Sequence, residues 1–381
     1  MSLAVITGVG AITALGADAP STWARILAGD TAVRSWPDLA AEGFPLSVAC
    51  RIEDDRLTDP LHRGRDLAVI AAAEALRDAG VDPARDRVGV YVGTTMGESA
   101  VFEAAAHSGE FDLAEGGGDA FARTVAEHFA MTGPQRTFGT ACAAGNYAIG
   151  AAQRAVAMGR VDVAVAGGVE PFSRIAMLGF ARMRAMAPDG CRPFAPARRG
   201  MTLGEGAAFV VVESQAHAAA RGATPLARIG GLGLAADAHH PTAPREDGSG
   251  MAAAMRAGLK AADVSPGDVG WVSAHGTGTP RSDTAEAAAL REVFGPSVPP
   301  VSSAKGAVGH TLGAATAVEA VLAALALRDG VLPPNGGVAE ADPELGLDVV
   351  VKARRRPDLA WVMSCGYAFG GLNSALLLGR P

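Results

Sequence analysis

Four side chains suited to covalent catalysis stand in three separate stretches rich in Gly and Ala: Cys142 in Thr140-Ala141-Cys142-Ala143-Ala144-Gly145, His275 in Ala274-His275-Gly276-Thr277-Gly278-Thr279, and Lys305 with His310 in Lys305-Gly306-Ala307-Val308-Gly309-His310. A thiolate is both a nucleophile and a leaving group, and imidazoles relay protons or steady a developing negative oxygen. Residues 136–159 read as a short strand turning sharply into a helix of small residues, with Cys142 at the turn. Unpaired backbone N–H groups and the helix dipole at such a turn favour a thiolate of lowered pKa. The small residues that follow leave room for a bulky substrate. An isolated cysteine is more often a small buried apolar residue, but the two histidine loops weigh against that reading here.

The elements that must position these groups alternate between strand and helix. Leu3 to Val9 reads as a strand ended by glycines, Ser21 to Ala28 as a helix capped by Ser21, and Arg65 to Ala79 as a helix closed by Gly80. Val88 to Gly93 is a strand followed by the loop Thr94 to Glu98; glycines 116–118 mark the least structured surface segment, before a helix over Ala120 to Phe129. Val161 to Gly168 is a buried strand whose turn Glu170 closes, and Ala207 to Glu213 is another. From Ala223 the pattern repeats: a helix over Gly250 to Ala262, a strand over Val269 to Ser273, the His275 loop, a helix, a strand over Pro300 to Ser303, the Lys305 and His310 loop, and an apolar helix over Gly313 to Leu327. Trp361 to Ser364 and Ser374 to Leu378 flank a final Gly-rich turn. Such alternation predicts an α/β fold with parallel or mixed sheets, duplicated, whose ligands sit beyond the strand ends. The expected halves are residues 1–222, with the cysteine, and 223–381, with the histidines and lysine.

With 381 residues, 49% of them hydrophobic and 19% charged, the chain can bury a large interior. Its net charge of −7 and lack of basic runs argue against nucleic-acid binding and against a basic membrane-surface protein. Cys50, Cys142, Cys191 and Cys365 show no metal-binding or disulfide spacing, which predicts reduced thiols in a cytoplasmic protein. Met1 to Ala19 lacks a basic leader and reads as an internal strand and loop; the most apolar helix is too short to span a bilayer. Lys260, Lys305 and Lys352 are the chain's three lysines among 33 basic residues, which singles out Lys305 in its Gly-rich loop.

Together with Phe369-Gly370-Gly371-Leu372-Asn373, these motifs resemble, in order and separation, the β-ketoacyl-acyl carrier protein synthases of the thiolase superfamily, over nearly the whole chain. The resemblance implies a thiolase-like fold of two similar βαβαβαββ halves in five α-β-α-β-α layers, and decarboxylative Claisen condensation in fatty acid or type II polyketide synthesis. Cys142 would accept the acyl group, while His275 and His310, with Lys305, would promote loss of CO2 from a malonyl thioester. The backbone N–H groups of Cys142 and Phe369 would form the oxyanion hole, with Phe369 as gate. Thr277, Thr279 and Asn373 would bind substrate. Asp283 and Glu286 are supporting residues that suit a helix N-cap equally well, and Glu319 joins the polar network near Lys305. The enzyme itself would bind no cofactor or metal, its substrates riding on the phosphopantetheine of acyl carrier protein.

Carrier docking falls to Arg192, with Arg63, Arg65, Arg198 and Arg199 read as ordinary surface. The chain would pair as a homodimer, or as the catalytic partner of a Cys-less chain length factor; Asn146 and Tyr147 depart from the family pattern where acyl pocket and pairing are shaped. A non-catalytic carrier-binding scaffold is the alternative of another class. Cys365 raises the thiolases, which carry a second catalytic cysteine in a C-terminal Gly-rich turn but lack the Ala-His-Gly-Thr histidine. His62, His107, His128, His217, His239 and His240 have no motif and read as surface or packing residues.

Overall fold

The structure, a computed structural model, describes residues 3–109 and 113–381, with His107, Leu113 and Ala114 described by backbone alone, so the reading of His107 lies outside the described side chains. The aliphatic segments form ten strands: β1 Ala4–Thr13, β2 Val88–Gly93, β3 Gln135–Phe138, β4 Val163–Glu170, β5 Gly206–Ser214, β6 Ala227–Ala236, β7 Val269–Ser273, β8 Val301–Ser302, β9 Trp361–Ala368 and β10 Leu372–Gly379. They hydrogen-bond in the order β8-β7-β9-β10-β6-β1-β5-β4-β2-β3.

The order is a duplication. In the first half β2 pairs in parallel with β3 and β4, and β5 runs antiparallel to β4 and β1. In the second, β7 pairs in parallel with β8 and β9, and β10 runs antiparallel to β9 and β6. A short antiparallel contact, Ala4 opposite Ile229 to Ile6 opposite Ala227, joins the two.

Helices form the other three layers. Arg63–Ala79 (α2) and Asp119–His128 (α3) cover the outer face of the first sheet half; Ser249–Ala262 (α6) and Pro280–Phe294 (α7) cover that of the second. Ala144–Ala157 (α4) and Ala315–Asp329 (α8) lie between the halves. α8 is buried from Ala315 to Leu327 and is apolar around its circumference, as expected of a helix with no solvent face. None of the described helices is long and apolar enough to cross a membrane.

Several boundaries differ from the sequence reading. β1 runs on through Gly8 and Gly10 to Thr13, because the glycines let the α2 backbone approach: a Cβ at Gly10 would lie 2.2 Å from Ala71 O. Helix α1, Ala19–Leu27, is capped by Asp18, and Ser21 is the third helical residue of a reciprocal capping box. Of glycines 116–118, Gly116 ends the short helix Leu113–Gly116 and is buried, and Gly118 is the N-cap of α3. Arg174–Arg182 forms a further short helix, α5, capped by Ser173.

Candidate active site

A short turn of 3-10 helix, Ala141–Ala143, carries Cys142 from the end of β3 to the start of α4, and Ala141 takes the left-handed conformation, φ +47°. A matching turn, Leu312–Ala314, follows His310 and leads into α8, with Leu312 at φ +42°. The two helix starts meet at the molecular centre, where Thr316 Oγ1 accepts the N–H of Asn146, one of the orphan donors of α4. Asn146 Nδ2 donates to Ser364 O and Ser374 Oγ, both at 3.2 Å, so this residue ties α4 to the second half. Tyr147, half-buried, packs against the apolar cluster that includes Cys142.

Distant parts of the chain converge on one cavity of about 470 Å³ that opens at the surface. Cys142, His275, His310, Thr277, Thr279 and Phe369 all line it. The two imidazole rings stand edge to face, 5.4 Å between centroids, and the Tyr367 ring lies 5.8 Å from that of His275. At the mouth Phe369 is 38% exposed, and its ring rests 5.7 Å from Phe180.

Loop chemistry fixes each group. The N–H groups of His275 and Gly276 each donate at 2.8 Å to the two oxygens of Glu286, and Asp283 accepts from Gly278 and Phe194. These carboxylates therefore reach back from inside α7 to hold the His275 loop; the helix N-cap is Thr279, not a residue of the Ser282–Glu286 stretch. Thr277 and Thr279 hydrogen-bond each other at 2.8 Å. The His310 backbone is tied to the segment before β5, donating to Thr202 O and accepting from Gly204 N–H. Leu312 N–H donates to His310 Nδ1 at 3.2 Å, so the neutral ring carries its proton on Nε2.

Electrostatics differ from the expected thiolate. Burial pushes the Cys142 thiol up to about 12; Lys305 pulls it down and Glu170 pushes it further up. Loss of water outweighs the helix start, so the resting group is a thiol. Burial, and then the Lys305 charge, hold His275 and His310 well below the usual histidine range, so both are neutral. Lys305 itself is ion-paired with Glu319, both fully buried, and Glu319 is pushed up to about 7 by burial.

Other expected residues fall elsewhere. Asn373 is buried and does not line the cavity; its Nδ2 donates at 2.6 Å to Asp237, which does. Arg192 does not line it either and pairs with Asp189 at 3.0 Å; the arginines at the mouth are Arg184, Arg199 and Arg281. Arg63, Arg65 and Arg198 are structural ion pairs, with Glu205, Glu115 and Asp342. Cys365 packs with Met363 and Tyr367 against the outer helices, away from the cavity. His240 lines the mouth, His239 a neighbouring surface depression, and His217 is bonded between Glu213 and Asp86. His62 pairs with Asp59 and Glu115, and His128 meets Phe129 edge to face. Sequence reasoning missed Tyr367, Asp237 and Glu170; a lone acidic residue at the end of a wholly aliphatic strand was the available signal for the last.

Comparison with known proteins agrees in extent and kind. Residues 3–218 match the family described as beta-ketoacyl synthase, N-terminal domain, and residues 226–339 its C-terminal domain. The 3-oxoacyl-[acyl-carrier-protein] synthase 2 of Rhizobium meliloti (strain 1021) is 36% identical, the alignment covering 100% of this chain and 99% of the relative. Among solved structures, the ishigamide ketosynthase/chain length factor superposes with TM-score 0.94 at 34% identity, covering 100% of this chain and 99% of the other. A type II polyketide ketosynthase in complex with its acyl-carrier protein superposes with TM-score 0.93 at 25% identity, covering 100% of both chains.

Proposed function

The chain belongs to the β-ketoacyl synthase family, and on that premise we propose that it condenses an acyl group held on Cys142 with a malonyl group carried on acyl carrier protein, releasing CO2. The observation that carries this is the single cavity lined by one thiol and two neutral imidazoles.

In the first half-reaction the Cys142 sulfur attacks the acyl thioester and its proton passes to a neutral imidazole. The C–S bond to the carrier's pantetheine then breaks, and the departing thiolate takes the proton. Starting from a thiol matters: ionisation is coupled to attack, with Lys305 nearby to ease it. In the second half-reaction the malonyl thioester loses CO2. Its enolate oxygen is held by imidazole N–H groups, of which His310 Nε2–H is pre-set by the Leu312 bond. The enolate carbon attacks the acyl-Cys142 carbonyl, a C–C bond forms, the C–S bond to Cys142 breaks, and the released thiolate takes a proton from solvent to restore the resting thiol. During both attacks the N–H of Cys142 and that of Phe369 hold the carbonyl oxygen.

Thr277 and Thr279 line the approach for the phosphopantetheine arm. Arg184 and Arg281 around the mouth present positive charge to an acidic carrier, a task that Arg199 and Arg192 share less directly because each pairs with Asp189 at 3.0 Å. Pairing with a Cys-less chain length factor is supported by the fold of the ishigamide complex, and a homodimer is the other arrangement. The intact set of thiol, imidazoles and ammonium speaks against a scaffold.

Acyl-carrier and malonyl-carrier substrates mixed with the protein are expected to give CO2 and a 3-oxoacyl thioester. Cys142→Ala is expected to abolish condensation and keep malonyl decarboxylation. Absence of both products over several chain lengths counts against the proposal.

A further inference from the structure

Glu170, at the end of β4, is 1% exposed and is used by none of the steps above, yet it sits where three loops of the site meet. Its Oε2 accepts from Thr95 N–H at 2.8 Å and Gly313 N–H at 2.7 Å; its Oε1 accepts from Met96 N–H at 2.8 Å and Thr94 Oγ1 at 3.4 Å. No cation is hydrogen-bonded or ion-paired to it among the described residues. Four donors on one carboxylate leave no room for a neutral amide in its place, since an NH2 group would face two N–H groups or an N–H and a hydroxyl.

The Gly313 bond is the consequential one. Leu312 just before it holds φ +42°, a conformation that a side chain of its kind keeps only when its surroundings enforce it. Gly313 itself lies flat on the preceding loop: a Cβ there would come within 2.5 Å of Thr94 Cα. With the turn held from both sides, Leu312 N–H points at His310 Nδ1.

We propose that Glu170 is a positioning residue for His310: its carboxylate holds the Leu312–Gly313 turn, and the turn fixes the imidazole as the Nε2–H tautomer. Glu170 acts through that turn and touches no reacting atom. The inference rests on the condensing reading for its kinetic arm alone, because the tautomer is read without substrate.

The test compares Glu170→Gln with Glu98→Gln in the full-length protein. Glu98 is likewise buried and accepts two backbone N–H groups, from Gly64 and Arg65, but away from His310. Long-range 1H–15N NMR on histidine-labelled protein is expected to show His310 losing its single Nε2–H tautomer in Glu170→Gln and keeping it in Glu98→Gln. Malonyl-carrier decarboxylation is expected to fall about 100-fold in kcat for Glu170→Gln, with KM within about threefold and Cys142 acylation unchanged or faster, because the charge that pushes the thiol up is gone. Glu170→Asp keeps the acceptor-only chemistry at a shorter reach; it is expected to retain the tautomer with an intermediate rate, and it serves if the Gln variant does not fold. A native His310 tautomer in Glu170→Gln overturns the proposal whatever the activity. So does an equal loss of acylation and decarboxylation, which marks a merely structural role. Failure of the wild type to condense, with the tautomer shift present, refutes the function and leaves this inference standing.

Discussion

Replacing Lys305 by Met removes one charge from the most buried ion pair in the molecule while keeping the length of the side chain. Lys305 and Glu319 side chains are 1% and 2% exposed; Lys305 bonds Glu319 Oε1, and Oε2 has no hydrogen-bond partner among the described residues. Removing one member of such a pair costs about 3–5 kcal/mol. Unfolding entropy near 2.1 cal/mol/K per residue gives about 0.8 kcal/mol/K for a chain of 381 residues, so Tm is expected to fall by about 4–6 °C. The same ammonium lowers the Cys142 thiol and both imidazoles, so its loss leaves a thiol even harder to ionise. Each further pKa unit slows alkylation about tenfold at a fixed pH below the pKa. The two effects separate in Lys305→Met/Glu319→Leu. Replacing both partners by apolar groups is near neutral for stability, so Tm should recover to within about 2 °C while Cys142 alkylation recovers only in part, because Glu319 pushes the thiol up by less than Lys305 pulls it down. Scanning calorimetry and the iodoacetamide rate at the Cys142 peptide read these outcomes. A single variant with unchanged Tm and alkylation, or a double variant that alkylates as fast as the wild type, refutes the reasoning.

Glu98, Glu170, Asp283 and Glu319 are pushed up to about 7 by burial, and Glu286 to about 8. A folded pKa above the unfolded one contributes stability that is full below the unfolded value and lost as pH rises through the folded value. The urea midpoint is therefore expected to fall from about pH 4, the unfolded carboxylate range, to about pH 8, the highest folded value, and a flat or rising midpoint contradicts the burial argument. At the gate, Gly370 has φ +82° with open space around it, whereas Gly371 at φ +72° would place a Cβ 2.6 Å from Asp237 Cβ. Gly370→Ala is expected to cost about 1–2 kcal/mol, and Gly371→Ala more, with the larger fall in kcat/KM for malonyl carrier; equal effects would show that the Asp237 contact is slack. Cys365→Ala should cost about 1 kcal/mol and leave condensation within about twofold. Loss of acyl transfer in that variant, measured by mass analysis of the Cys142 peptide, would give Cys365 the thiolase role that its packing denies.

Strands such as Val88–Gly93 and Val269–Ser273 were readable to the residue because each is a short aliphatic run between polar breaks, buried on both faces. The thiol, both imidazoles and the lysine were readable because Gly-rich turns at strand ends are places where backbone and ligand meet. What escaped were effects of burial. Cys142 at a helix start reads as a thiolate until its distance from water is known. Asp283 and Glu286 read equally well as supporting residues and as capping ones, because their grip on the loop before the helix is a tertiary fact. Asn373 and Arg192 each carry the right chemistry, but Asp237 and Asp189 claim them first. Tyr367, at the end of β9, has no sequence signal that it would reach the histidines.

The duplicated fold explains why one half supplies the sulfur and the other an imidazole. The turns Ala141–Ala143 and Leu312–Ala314 occupy corresponding places, each opening on a residue of positive φ and each feeding a central helix. Cys142 and Gly313 are the second residues of these turns, and Gly139 and His310 stand three residues before them. A Cβ on Gly139 would meet nothing within 4 Å, whereas the Gly313 turn lies against Thr94. The first turn carries a side chain, Cys142, that lines the cavity. The second is packed flat, gives up its side chain at that point, and spends its N–H on Glu170. Its reactive group moves upstream to His310, where Leu312 N–H can orient it. Gly313→Cys would not create a second nucleophile, because its Cβ would have to displace the Thr94 backbone; the asymmetry of the site is enforced by packing between the halves as much as by the residues that do the chemistry.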